Sequence, residues 1–198
     1  MRSGGKRRWS VTPIGAVMLL GALIADREGI LRASVLAALI HEVGHLIAAR
    51  LQKIPIAAFR FDILGARLDV GDRLIGYREE WLLCAAGPMA SLLFSLLMAP
   101  LWRFGSFFFA VSCASFLLGL LNLLPVRGFD GGRMAEAFLC RFFGARVGFS
   151  VMTLVTHTAL LLLWSVSVYF LLRTGGGIAL FCFSLSVFAK FIENGKIA

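Results

Sequence analysis

Apolar stretches long enough to cross a lipid bilayer recur along this chain, and they constrain its fold more than any other feature. Six can be drawn, over residues 11–25, 30–51, 81–102, 107–124, 147–172 and 176–192. A hydrocarbon core of ~30 Å takes ~20 helical residues to cross. Within it each backbone N–H and C=O must find its partner inside the protein, so an apolar segment spans as a helix. With 59% of the 198 residues hydrophobic and only 16% charged, a soluble domain is excluded. The expectation is an all-α polytopic membrane protein of six transmembrane helices, folded as one domain over residues 1–198. Pro13 and Gly15 interrupt the first segment, which is expected to tilt or to sit in thin lipid.

The net charge of +9 raises the question of a nucleic-acid partner, and the positions of the basic residues answer it. With six spans and the N-terminus inside, only Arg27, Arg32, Arg103 and Arg173 of the 20 Lys and Arg fall outside. Such a bias is a topology signal. It predicts cytoplasmic termini and explains the charge without nucleic acid. Trp81 and Trp102 bracket the third segment as interfacial anchors do. Arg2, Lys6, Arg7 and Arg8 precede the first segment as in a signal peptide, but no cleavage site and polar mature domain follow, so an uncleaved span is expected. Cys84, Cys113, Cys140 and Cys182 lack CxxC spacing and read as packing residues rather than a disulfide framework or thiolate site.

Between the second and third segments, residues 54–72 follow a different period. Phe59, Phe61 and Ile63 alternate with Arg60 and Asp62, and after Gly65 alternation resumes at Arg67, Leu68, Asp69 and Val70. Period two with a glycine between fits a short membrane-associated β-hairpin. An amphipathic loop on the membrane surface fits the same residues.

The chemistry sits in the second segment, where residues 41–45 read HEVGH. At ~3.6 residues per turn, His41 and His45 fall on one helix face and both imidazoles can hold one metal ion. Neutral imidazole suits zinc, which lowers the pKa of water at its open position towards ~7. Glu42 adjoins the first histidine, where a carboxylate can act as general base. An ionisable side chain at the centre of a span costs ~2.5–3.5 kcal/mol on insertion scales. Three such groups at ligand spacing point to a metal site rather than to core histidines hydrogen-bonded across a bundle.

A catalytic zinc takes a third protein ligand. Glu79 and Glu80 precede Trp81 and look like solvated interfacial charges. Asp130 lies in NLLPVRGFDGGR, residues 122–133, on the side of the membrane to which the HEVGH end of its segment points. Pro125 ends the fourth span, and the glycines after Asp130 permit a close turn. A ligand loop at membrane depth and a plain Asp-Gly surface turn both fit these residues. His157, alone in the fifth span between Thr156 and Thr158, reads as a packing residue.

HEVGH in a transmembrane helix, with a later NxxP…DGG segment, resembles the site-2 protease family of intramembrane zinc metalloproteases. The NLLP…DGGR form and six-span layout are most similar to its sporulation-type branch. The resemblance covers about residues 30–134 and implies a catalytic core made of the second, third and fourth spans. It implies His41, His45 and Asp130 as ligands of one zinc ion, and Glu42 as general base. Gly87-Pro88 in the third span matches a family feature. The chain departs from the pattern at Leu123, where proline often follows the asparagine, at Phe129, where leucine often precedes the aspartate, and at Ser91, where asparagine is often found. The sporulation branch often carries a C-terminal soluble regulatory domain; with Ala198 as the last residue, that control is expected to be missing or supplied elsewhere.

The resemblance further implies regulated intramembrane proteolysis: cleavage of a membrane-bound protein, a pro-sigma precursor in the sporulation branch, in or near its transmembrane segment. The expected partners are that substrate, the bilayer and a membrane-bound inhibitory or regulatory protein. The expected site is a bacterial cytoplasmic or forespore membrane, with the active site towards the cytoplasm. Asn122, Gly87 and the strand edge carrying Phe59 and Phe61 are the expected substrate-binding positions: the Asn122 amide can bond an unwound substrate backbone or equally a neighbouring helix, and an extended peptide can add to a free edge. The rival is a zinc-binding scaffold or transporter without catalysis. A transporter would place ionisable groups in several spans along one path, whereas Glu42 is the clear membrane-embedded acid here.

Overall fold

The computed structural model describes residues 8–11, 24, 26–54, 58–62, 65–69, 75–174 and 178–195. It divides into two compact units, Met1–Leu120 and Leu121–Ala198. In the first, β1 (Arg8–Val11) is followed by α1 (Ile30–Leu51), β2 (Ala58–Asp62), β3 (Gly65–Asp69), α2 (Tyr77–Met98), a 3-10 turn (Ala99–Phe104) and α3 (Ser106–Asn122), which runs to the boundary. The second contains α4 (Asp130–Phe143), α5 (Ala145–Thr174) and α6 (Ile178–Gly195).

Small residues set the packing of the first unit. The buried positions of α1 are Ala33, Ala37, His41, Gly44, His45 and Ala49, one face at helical spacing. The buried face of α2 is Leu83, Cys84, Gly87, Pro88, Ser91 and Ser95. Lipid supplies no hydrophobic drive between helices, so they associate through close backbone approach and interhelical hydrogen bonds. Gly44 provides the approach: a Cβ there would lie 2.5 Å from the Ala86 carbonyl oxygen and 2.7 Å from Ala90 Cβ. Large residues such as Val43, Ile47, Leu93, Leu96 and Leu97 point outward and exposed, as a lipid-facing surface requires. At one end of the seam Ala49, Ile54 and Leu83 form a buried cluster. Serines tie α2 to α3: Ser95 Oγ donates to the Ser112 carbonyl at 2.8 Å, and Ser112 Oγ returns the bond to the Ser95 carbonyl at 3.0 Å.

Helix ends follow local chemistry. The Gly76 N–H donates to the Glu79 carboxylate at 3.2 Å, so Glu79 serves the first turn of α2. The Asp26 carboxylate accepts from the Arg32 N–H at 2.9 Å, and that bond is the main cause holding its carboxyl below the ordinary range. The strands form one sheet in the order β1-β2-β3. β1 runs parallel to β2, and β2 pairs antiparallel with β3 in a register that places Phe59 opposite Leu68 and Phe61 opposite Ala66.

In the second unit a tight loop leads from Leu123 to α4, and Gly144 (φ 85°) turns the chain into α5. Val126, Leu160 and Val187 form its buried cluster, with Leu124, Phe129 and Ala159 packed around it. Ser167 and Ser184 bridge α5 and α6 with their hydroxyls 3.0 Å apart.

Among the described residues three helices are long and apolar enough to cross a membrane, over Ile30–Leu51, Tyr77–Phe104 and Ala145–Arg173; Ser106–Asn122 is apolar but shorter. Most of the first expected span, residues 11–25, lies outside the described residues, and Val11 closes β1. Helix α4 was not expected at all. Its residues mix Arg133, Glu136 and Arg141 with apolar positions, so no apolar run betrayed it. The Asp130 segment, which fitted either a ligand loop or a surface turn, is instead the first turn of this helix.

Candidate metal centre

His41 and His45 lie on the buried face of α1, 5% and 9% exposed. The backbone carbonyl of Leu83, on α2, is 2.8 Å from His45 Nδ1. A carbonyl can only accept, so Nδ1 carries the proton and Nε2 presents a bare lone pair. His41 Nδ1 is 3.0 Å from the hydroxyl of Ser91, itself fully buried on α2. Ser91 can receive the Nδ1 proton in the same way. Both rings are thus oriented through their far nitrogens, the arrangement by which outer partners fix metal-ligating histidines.

The near nitrogens then converge. His41 Nε2 and His45 Nε2 are 3.2 Å apart, with ring centroids at 4.8 Å and planes at 81°. Two imidazoles bound tetrahedrally to zinc at ~2.0–2.1 Å would place their nitrogens about 3.3 Å apart. The pair therefore fits one zinc ion. Gly87 leaves the room for it: a Cβ at that position would fall 2.5 Å from His45 Cε1 and 2.8 Å from His41 Nε2. Gly87, expected to bind substrate, faces the two histidine rings. Pro88 follows it and brings no N–H to the helix ladder. Glu42, next along α1 from His41, is half-buried.

In the second unit, Asp130 is half-buried at the first position of α4, with Phe129 extended before it (φ −106°, ψ 161°). The DGG sequence has a steric cause there. A Cβ on Gly131 would meet the Leu123 backbone, 2.8 Å from its Cα, and one on Gly132 would lie 2.5 Å from the Val126 carbonyl carbon. The start of α4 therefore rests directly on the loop backbone. Turns at Val126 N–H to Leu124 carbonyl (2.8 Å) and Phe129 N–H to Val126 carbonyl (3.1 Å) hold that loop. A negative side chain at a helix N-terminus is also favoured by the backbone dipoles.

The other expected positions are placed as follows. Asn122 is the last residue of α3 and half-buried. Phe59 and Phe61 lie on β2, which among the described residues is the central strand, with β1 and β3 at the edges of the sheet. His157 has its Nδ1 2.7 Å from the Thr153 carbonyl one turn earlier on its own helix. No disulfide forms among the four cysteines. Sequence reasoning missed the Leu83 carbonyl and the Ser91 hydroxyl as histidine partners. The first has no sequence signal; a serine facing a histidine-bearing helix was the signal for the second.

Comparison with known proteins shows what this chain is similar to. The fold matches the site-2 protease from Methanocaldococcus jannaschii with a TM-score of 0.63, covering 88% of this chain and 82% of that one at 20% identity. Residues 100–166, which include the DGG segment, match the model of Peptidase family M50. Residues 100–166 are thus similar to an M50 peptidase segment and the fold is like that of a site-2 protease, in agreement with the resemblance; HEVGH, at 41–45, lies outside the residues matched to the family model. The chain is 28% identical over 149 residues to "Putative zinc metalloprotease Rip3" of Mycobacterium tuberculosis, in strains Erdman and H37Rv. The match takes in 70% of this chain but 34% of that relative, so the chain spans about a third of its length. With its membrane-length helices, this is an integral membrane protein.

Proposed function

We propose that this chain is a membrane-embedded zinc endopeptidase, on the observation that two imidazoles, each held through its Nδ1, bring their Nε2 atoms to 3.2 Å at an HEVGH motif. His41, His45 and Asp130 are the ligands, each offering one donor atom. When bound, zinc supplies a Lewis acid for the scissile carbonyl and lowers the pKa of water towards ~7. Glu42, beside the first histidine, would serve as the general base that accepts a proton from the attacking water and returns it to the leaving amine. His45 keeps its Nδ1 proton on the Leu83 carbonyl, which holds the ring in one tautomer throughout. The packed α1–α2 seam excludes bulk water around the pair and strengthens each charge interaction there.

The substrate is a membrane-bound protein cleaved in or near its transmembrane segment. A helical segment hides its carbonyls in internal bonds, so the cleaved stretch must be extended. An outer edge of the β1-β2-β3 sheet is the candidate for receiving it, with Asn122 at the end of α3 as a hydrogen-bonding group. The similarity of NLLP…DGGR to the sporulation-type branch favours a pro-sigma precursor as substrate and the cytoplasmic side as the site of cleavage.

Glu42→Gln tests the reading. With a co-expressed membrane-tethered substrate, the variant is expected to retain zinc and to lose cleavage by at least the ~10²–10⁴-fold typical of a general base. Undiminished cleavage would refute it. A non-catalytic scaffold would retain zinc in both forms and cleave with neither.

A further inference from the structure

We infer that Arg127 is a positioning residue for Asp130, locking the loop before α4 into one geometry through a four-way clamp. The inference rests on the proposed role of Asp130 as a metal ligand. Arg127 precedes Asp130 by three residues, and its backbone N–H and all three guanidinium nitrogens are engaged. Its backbone N–H donates to Thr156 Oγ1 at 3.1 Å. Nε donates to the Glu136 carboxylate at 2.5 Å, Nη1 to Thr153 Oγ1 at 2.8 Å, and Nη2 to the Phe149 carbonyl at 3.1 Å. The guanidinium carbon also stands over the Phe149 ring, 5.7 Å from its centroid.

The topology of these bonds gives them meaning. Glu136 lies on α4, two turns beyond Asp130, whereas Thr153, Thr156 and Phe149 lie on α5. Arg127 therefore ties the chain before Asp130 both to the helix that Asp130 begins and to the next helix. The loop and the helix start already touch backbone to backbone at Gly131 and Gly132. Sliding of α4 along its axis would move Asp130, and the Arg127–Glu136 pair opposes that movement. Asp130 is the ligand supplied by a helix end rather than by the HEVGH face, so its geometry depends on such support. The planar fork is needed, because a lysine at this position can satisfy Glu136 but cannot bond Thr153 and the Phe149 carbonyl at once.

The test measures metal affinity. Full-length Arg127→Lys and Glu136→Gln proteins, with Asp130→Asn alongside, are purified in detergent and titrated with zinc against a competing chelator. Cobalt(II) absorption spectra report the ligand geometry. Arg127→Lys and Glu136→Gln are expected to weaken zinc binding ~10–100-fold, the usual effect of losing an outer-shell partner, and to alter the cobalt spectrum. A merely structural clamp would lower the melting temperature and leave the affinity and spectrum of the folded protein unchanged; that result overturns the inference. If Arg127→Lys does not fold, Glu136→Gln and Thr153→Val, which each remove one contact, decide in the same way. Asp130→Asn separates the two levels. If it loses zinc while the clamp variants do not, only the clamp is wrong; if it too binds normally, the ligand assignment falls.

Discussion

His45 rests its ring edge on Gly87, with no space between them for a methyl group: a Cβ at Gly87 would stand 2.5 Å from His45 Cε1. The same Cβ would stand 2.8 Å from His41 Nε2. Gly87→Ala would favour the α2 helix by ~0.5–1 kcal/mol on backbone grounds. Overpacking at a closed seam costs ~1–3 kcal/mol and forces side chains to move, so the clash wins. The variant is expected to insert and fold but to bind zinc weakly, because the methyl occupies the side of the rings where the two Nε2 atoms converge. Elemental analysis of the purified protein checks this; a full equivalent of zinc would contradict it.

Ser91 holds His41 as the Leu83 carbonyl holds His45, but only Ser91 can be removed by mutation. Ser91→Ala frees the His41 ring to rotate and to change tautomer. Zinc affinity is expected to fall ~10–100-fold, with cleavage falling in parallel. Ser95→Ala is the matched control, one turn further along α2, where the hydroxyl bonds Ser112 instead. Interhelical bonds of this kind contribute ~0.6 kcal/mol on average. The control is therefore expected to lower thermal stability slightly and leave zinc affinity unchanged. Chelator competition on both variants separates the two cases.

The two glycines after Asp130 carry a different prediction. Gly131→Ala and Gly132→Ala each place a Cβ against backbone atoms of Leu123 and Val126. Backbone held by its own turns cannot yield as a flexible side chain does. Each substitution is expected to cost ~1–3 kcal/mol by overpacking and to displace the start of α4, lowering zinc affinity through Asp130, the proposed third ligand. Gly144→Ala is a useful contrast: its φ of 85° strains an alanine, yet nothing lies within 4 Å. It should lower stability without affecting zinc.

The sequence was most informative where one short motif carries its own geometry. HEVGH on an apolar segment gave the helix, the shared face and the donor pair, because four-residue spacing on a helix leaves little freedom. Hydropathy alone gave the helix at 30–51 and, as a segment at 81–102, most of the helix at 77–98 and the 3-10 turn that follows it. Helix α4 was not, since its turns alternate charged and apolar residues and its start is defined by contact with a loop. The partners of the histidine Nδ1 atoms were also hidden. One is a backbone carbonyl, identical for every residue type, and the other a serine whose role depends on which way α2 is rotated. Arg127 was counted only as a topology charge, although its fork organises the loop before Asp130.

Gly44 tests whether the seam between α1 and α2 sets the site or merely accommodates it. A Cβ on Gly44 would meet both Ala90 Cβ, at 2.7 Å, and the Ala86 carbonyl oxygen, at 2.5 Å. Gly44→Ala must push the helices apart, and the bonds from His41 to Ser91 and from His45 to Leu83 cross that seam. Zinc affinity is expected to fall with stability. Ala90→Gly removes one of the two obstacles and leaves the other, since no substitution trims a carbonyl. The double variant is therefore expected to recover part of the lost zinc affinity, with a favourable coupling of ~0.5–3 kcal/mol as for residues in contact. Strict additivity of the two single changes would mean that the helices do not meet at these residues, and the spacing of the histidine partners would then need another cause.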